Sequence, residues 1–209
     1  MITINGQKMG KSLGNFITLE QLTTGAHPLL EQAYSPMTIR FFILQAQYRS
    51  TLDFSNEALQ AAEKGYERLM KAVSTLKKIK PSEASSVDIS DVEARCTAAM
   101  DDDLNSPMVI SELFDCVRTI NQIYDGKQTI SAADLAELRR VVDLFVFDIL
   151  GLRDDLAGDN SQMLSSVVDM ILNIRMEAKN AKDWATSDKI RDGLAAIGIK
   201  VKDRKDGFD

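Results

Sequence analysis

The chain has few of the residues that build metal and thiol chemistry: one histidine, His27, and two cysteines, Cys96 and Cys116. Zinc sites need closely spaced Cys and His ligands, and neither cysteine has another Cys or His near enough to make one. Both cysteines therefore read as reduced core residues. Excess positive charge is also missing. With 25 Lys and Arg against 31 Asp and Glu, the net charge is −6 and the pI about 4.9, which excludes attachment to nucleic acid by bulk charge and makes any RNA contact local and directed. No apolar run approaches the roughly 20 residues of a membrane span, and no secretory leader pattern is visible. The expectation is a cytoplasmic chain with no membrane partner, whose reducing surroundings suit unpaired thiols. No internal repeat or low-complexity tract occurs. What remains, 209 residues at 44% hydrophobic content, is enough for a real core in one large or two to three small domains.

Residues 1–5 alternate Ile2 and Ile4 with smaller or polar neighbours, and Asn5-Gly6 follows, a dipeptide suited to the positive φ angles of a tight hairpin turn. Residues 7–15 carry two glycines and no helical period, so they read as an exposed loop. Thr18 with Gln21 resembles a capping box. Ser35 before Pro36 opens a helix over 36–47 with Ile39, Phe42 and Ile43 on its buried stripe. Ser55 caps the next helix, whose Leu59, Ala62, Tyr66, Leu69, Val73 and Leu76 recur at three- and four-residue steps. Residues 80–90 read as a solvated connection. A bundle follows: a helix over 91–100, then one restarted at Ser106-Pro107 with Ile110, Leu113, Val117, Ile120 and Tyr124 inward. Ser131 caps a third helix through Leu138, Val142, Phe145 and Ile149, closed by Gly151. A helix over about 162–180, another capped by Asp183 and ending near Gly198, and an alternating Ile199-Lys200-Val201 complete the pattern. The expected fold is mainly α, a helical bundle with short strand segments at the N- and C-terminal ends.

Two lysines, Lys8 and Lys11, stand in Gly6-Gln7-Lys8-Met9-Gly10-Lys11-Ser12. This resembles a P-loop, but that motif has four residues between its first glycine and Gly-Lys-Ser, and three stand here. A P-loop also needs a helix starting at the lysine, which Gly14-Asn15 disfavours. Two ammonium groups on a flexible loop can instead close over a polyphosphate as charge builds on it. A merely solvated turn is the competing reading. Asp101-Asp102-Asp103 suggests a hard cation, but consecutive helical residues diverge by about 100°, so negative charge at a helix N-terminus is the preferred explanation. Near the C-terminal end, Trp184, Asp188 and Arg191 share a helix face, while Ile190, Leu194 and Ile197 form a separate apolar stripe. An aromatic ring, an acceptor and a donor fork are the groups that read unstacked RNA bases. A tryptophan packing its helix down beside an Asp–Arg pair is the alternative. Arg175, Lys179, Lys182 and Lys189 offer local positive charge toward phosphates.

The segment Lys8-Met9-Gly10-Lys11-Ser12-Leu13-Gly14-Asn15 resembles the KMSKS loop of class I aminoacyl-tRNA synthetases, with Gly10 where that motif has serine. Phe16-Ile17-Thr18, Arg40-Phe41-Phe42, Gln47-Tyr48-Arg49-Ser50 and Leu52-Asp53-Phe54-Ser55 are similar to the cysteinyl members. So are 99–107, AMDDDLNSP, and 181–185, AKDWA. The likeness runs in family order from residue 7 to about 203.

It implies the C-terminal portion of a cysteinyl-tRNA synthetase, from the KMSKS loop onward, divided into three. Residues 1–54 would be a remnant of the catalytic domain with stem-contact helices. Residues 55–152 would be a DALR-like bundle, and 153–209 the anticodon-recognition helices and strand. Lys8 and Lys11 take the catalytic roles, with Lys11 on ATP. Trp184, Asp188, Arg191 and Asp203, and more weakly Lys179, take the tRNA-binding ones. The implied partners are tRNA(Cys), ATP with magnesium, and cysteine, acting on a monomer. Zinc is a cofactor of the full-length enzyme, without ligands in this chain, and no metal site is expected here. A HIGH-type segment is absent, so the chain by itself is expected to be inactive, and Met1 to be internal to a longer protein or the start of an expressed piece of one. A helical protein-interaction module and a P-loop-like nucleotide hydrolase are the alternatives. RNA binding lost on changing Trp184, a protein partner without RNA binding, or ATP turnover by the chain alone separate the three.

Overall fold

The computed structural model describes residues 1–155, 159–196, 203–204 and 207–208, and among them the side chains outside 159–166, 196 and the last four. Two compact units divide it, Met1–Asp155 and Leu156–Asp209. Eight α-helices appear among the described residues and the fold is mainly α.

The first unit begins with a small sheet. Strand β1 (Ile2–Ile4) turns through Asn5 and Gly6, at φ 50° and 78°, into β2 (Gln7–Lys8). This is the Asn-Gly hairpin expected from the sequence, but it takes Gln7 and Lys8 into a strand where a loop was expected. β3 (Leu52–Phe54) pairs parallel to β1, giving the order β2-β1-β3. Asp53 locks the turn, its Oδ1 accepting from the Thr3 hydroxyl at 2.5 Å and from the Gly6 amide at 2.8 Å. Between β2 and β3 lie α1 (Leu19–Thr24) and α2 (Pro36–Leu44). The Thr18–Gln21 capping box forms in full, and Ser35 caps α2 by accepting from the Thr38 amide.

Helix α3 (Asn56–Lys78) is the longest in this unit, and every residue of the expected seam from Leu59 to Leu76 is buried. It packs against α2, α5 (Ser106–Tyr124) and α6 (Ala132–Asp143), while α4 (Val92–Asp101) packs on α5. Phe41 of α2 lies within 6.1 Å of the Tyr66 ring and 6.4 Å of Phe114, centroid to centroid. A Cβ on Gly65 would come within 3.2 Å of the Phe41 ring, so glycine permits this close approach. Helix ends are tied by side chains. Arg139 donates to the carbonyls of Leu76 and Ile79 at the end of α3, where a cation meets the negative end of the helix dipole. Ser106 Oγ donates to the Leu44 carbonyl at 2.7 Å, joining α5 to the end of α2.

Several expected positions differ. α2 ends at Leu44 rather than 47, and Ile43 is exposed, because Phe41 takes the contact with α3 while Ile39 and Phe42 are buried. α5 does restart at Ser106-Pro107, with Asn105 as its cap. Ile123 is buried and Tyr124 exposed, the stripe drifting by one residue at the helix end as 3.6-residue turns accumulate. After α6 the chain forms a wider π turn, Leu144–Ile149, which buries Phe145, Val146 and Leu150 and leaves Ile149 outside. The extra residue in the turn shifts the phase. Gly151, at φ 62°, closes it as expected. Residues 80–90 are not merely solvated: the Ser82 amide donates to the Ile130 carbonyl, Ser86 to Thr129, and the Ser131 amide to Ser85 Oγ.

The second unit contains α7 (Asp159–Asn180), starting three residues before the expected 162, and α8 (Trp184–Ala196), which pack on one another. A two-residue pair, β4 (Asp203–Arg204) with β5 (Gly207–Phe208), ends it. The expected strand over 199–201 and the helix end near Gly198 lie outside the described residues.

Gly151→Ala should cost about 1 kcal/mol or more, because alanine disfavours a left-handed backbone and the added carbon would lie 2.5 Å from the Arg40 guanidinium. Urea unfolding at fixed slope measures it.

Candidate functional site

The lysine loop hangs from the small sheet. Met9 donates its amide to the Ile2 carbonyl at 3.1 Å and packs against the core. Gly10 is extended at φ −165°, Lys11–Leu13 form a single 3-10 turn, and Gly14, at φ 69°, ends it. Ile17 then re-enters the core. The P-loop reading fails here, since no α-helix starts at Lys11 to turn its amides toward a phosphate. Both lysines are exposed. Lys11 Nζ lies 5.5 Å from the Phe16 ring centroid, a resting cation–π contact. The depression beside the loop is lined by Leu13, Gly14, Asn15, His27 and their neighbours, and neither lysine lines it. A Cβ on Gly10 would lie 3.7 Å from Leu13 Cδ1, ordinary contact on extended backbone, so the motif's serine would fit.

Spacing pointed to the lysines and missed the residues that hold them. Asn15 is buried, and its amide bonds back to Gly10 and Lys8. Its visible signals were Gly14-Asn15 as a helix breaker and its place at the end of the KMSKS-like segment, and neither pointed to a clamp.

Asp101 ends α4, while Asp103 and Leu104 adopt left-handed backbone. Asp103 pairs with Arg49 at 3.2 Å in the open, and Asn105 rather than an aspartate caps α5. Among the described residues no three His, Cys, Asp or Glu gather as a metal would require.

On α8, Trp184 is 59% exposed. Arg191 reaches Asp188 at 3.0 Å and Asp192 at 3.1 Å, with all three side chains at least half exposed. Open pairs of this kind contribute at most about 1 kcal/mol, so both partners exchange readily for a ligand. Asp183 caps the helix through the Thr186 amide at 3.1 Å. Hydrogen bonds from Thr186, side chain first, hold its carboxyl below the usual range. Leu194 is buried as expected, Ile190 is half-buried, and Ile197 lies outside the described residues. Of the cations expected nearby, Lys182 and Lys189 are exposed and Lys179 half-buried. Arg175 is only 3% exposed and does not face solvent, because it falls on the stripe of α7 that also buries Leu172 and Ala178. Asp203 pairs through its backbone with Phe208, and its side chain lies outside the described residues.

Three family models match in order along the chain: the tRNA synthetases class I (C) catalytic domain over residues 1–64, the DALR domain over 95–153, and the cysteinyl-tRNA ligase anticodon binding domain over 161–208. The chain belongs to the cysteine-tRNA ligase family. It is 62% identical to the cysteine-tRNA ligase of Parabacteroides distasonis, and 59% identical to those of Porphyromonas gingivalis and Bacteroides fragilis. Each alignment covers all of this chain and 43% of the relative, so the chain spans less than half the length of these curated relatives.

The zinc associated with this family does not fit the cysteines here. Both are buried and free of disulfide bonds, and burial pushes the Cys96 thiol up to about 11 and that of Cys116 to about 12, whereas a zinc ligand must be a thiolate. Ellman's reagent at pH 8 should therefore leave both thiols unmodified in the folded chain and titrate both once urea unfolds it. Asp183 supplies a pH test. Its carboxyl is depressed in the folded state, so its contribution is present above the unfolded carboxylate pKa, about 3.9, and is lost as pH falls through the lower folded value. Protection of the Thr186 amide, relative to its intrinsic exchange at the same pH, should fall below that point, and Asp183→Ala should show the reduced protection without that pH dependence.

Proposed function

We propose that this chain is the lysine-loop and tRNA-binding part of an enzyme that uses ATP, with magnesium, to join cysteine to tRNA(Cys), a class I ligase. The observation that carries the reading is the loop from Lys8 to Asn15, with two solvent-facing lysines on a backbone anchored at both ends, inside the segment that matches a class I catalytic domain. In the first step the cysteine carboxylate attacks the α-phosphorus of ATP. Cysteinyl-adenylate forms and pyrophosphate leaves with the electrons of the broken P–O bond. Negative charge grows on the departing phosphates, and ammonium groups placed there lower the barrier. Lys11 contacts those phosphates and Lys8 assists from the same loop. In the second step a ribose hydroxyl of the terminal adenosine of tRNA attacks the carbonyl and AMP departs.

The second unit supplies selection. Trp184 offers an open ring on which an unstacked anticodon base can lie, and Asp188 and Arg191 give up their mutual pair to reach base edges. Asp203 joins them, and Lys179 contributes more weakly. The chain divides functionally at 54/55 and 152/153, into catalytic remnant, bundle and anticodon reader. It works as a monomer in the cytoplasm. Alone it is inactive, because its one histidine cannot form the ATP-holding HIGH segment.

A chimera in which the chain replaces the matching part of the Parabacteroides relative tests this. ATP–pyrophosphate exchange with cysteine should proceed in the chimera and not in the 209-residue chain. Lys11→Ala should lower the chimera's kcat by about 100-fold. An inactive chimera, or exchange by the chain alone, overturns the reading. Separately, Trp184→Ala should weaken binding of a tRNA with a GCA anticodon by about ten-fold, since base stacking is worth roughly 1–3 kcal/mol. Unchanged affinity removes the anticodon assignment.

A further inference from the structure

Two lysines on an open loop lose conformational freedom, and move like charges together, when they close on a polyphosphate. Backbone ordered beforehand reduces that cost. Pairing of β2 with β1 orders Lys8, and past the strand end one buried side chain ties the loop to it. Asn15 is 8% exposed, and its Oδ1 accepts from the Gly10 amide at 2.9 Å while its Nδ2 donates to the Lys8 carbonyl at 3.1 Å. The two partners flank Met9, whose own amide goes to the Ile2 carbonyl on the sheet side. β2 ends at Lys8. Past that point the carboxamide takes the place of a neighbouring strand, offering one acceptor and one donor to the backbone as a strand residue would. Lys8 supplies one of the clamped atoms, and Lys11 follows directly on the other. The intervening turn to Gly14 returns the chain to Asn15, so the arc carrying both ammonium groups is closed at its base.

We propose that Asn15 is a positioning residue for the lysine flap. By holding Lys8 and Gly10 at fixed places on the loop, it presents Lys11 toward the triphosphate in the arc needed for closure, without touching the nucleotide. The proposal rests on the reading of this loop as the triphosphate flap. A buried amide that served only to stabilise the fold would change the amount of folded protein and leave turnover of the folded fraction intact. A positioning residue changes the turnover itself.

The test has two arms. In the 209-residue chain labelled with 15N, the Gly10 amide should exchange slowly although the loop is exposed. Asn15→Ala should speed its exchange by about ten-fold or more while amides of α3 keep theirs, because a lost local bond opens locally. In the chimera, Asn15→Ala should lower kcat for ATP–pyrophosphate exchange by about ten-fold with KM for ATP altered by less than about three-fold, the pattern of an interaction realised mainly in the transition state. Asn15→Asp keeps an acceptor for Gly10 and loses the donor to Lys8, so it should fall between. If Asn15→Ala fails to fold, Asn15→Asp decides by the same two readings. Gly10 exchange indifferent to the substitution, or kcat within about two-fold of the parent while Lys11→Ala shows its about 100-fold loss, overturns the positioning role. A Lys11→Ala chimera with kcat within about two-fold of the parent overturns the flap reading instead.

Discussion

The contact between α2 and α3, continued by α5 on the other side of the same seam, carries the first unit. Leu59 to Leu76 form one apolar face along α3, and fully burying a Leu, Val or aromatic side chain yields about 1.5–3 kcal/mol, far above any surface ion pair in this chain. Phe41 inserts from α2 between Tyr66 and Phe114, and Gly65 leaves room for its ring. The sheet that holds the lysine loop then rests on the same core, through Ile4, Ile17 and Phe54. Loosening α3 would therefore loosen the base of the loop as well as the bundle. The family match over residues 1–64 stops inside α3, so a boundary drawn from sequence likeness crosses a helix that has one uninterrupted buried face.

Polar bonds finish what the apolar seam begins. Arg40 donates to the Leu150 carbonyl at 2.8 Å. Tyr66 reaches from the middle of α3 to the Asp155 carboxylate at 2.5 Å, and burial with that carboxylate beside it holds its proton well above the usual range for a phenol. Both link residues about a hundred positions apart and satisfy groups that would be costly to leave unpaired in the interior. They fasten the last described residues of the first unit to its first helices.

Exposure follows the opposite logic at the functional ends. Lys8, Lys11, Trp184, Asp188 and Arg191 all stand in solvent. The backbone beneath them is fixed by Asn15 in one unit and by the Asp183 cap in the other. Side chains that can exchange partners are thus mounted on backbone that cannot easily shift, which keeps the entropy lost on ligand contact small.

Much of this was legible in the residues alone. The Thr18 box, the caps at Ser35, Ser55 and Ser131, the Asn5-Gly6 turn and the α3 seam depend on neighbours within about one helical turn, and local chemistry decides such features. The likeness of 8–15 to a known loop located the lysines. Strand β3 could not be read, because three residues carry no usable period and pair only when Met1 to Ile4 come alongside. Ile43, Tyr124, Ile149 and Arg175 were misplaced because burial on a helix depends on which neighbour arrives at which angle, and in one case on a π turn that shifts the phase. The amide of Asn15 belongs with these. Its residue type permits a clamp, but only the folded chain sets Lys8 and Gly10 within hydrogen-bond reach, because the return of the loop is fixed by the sheet and core beneath it.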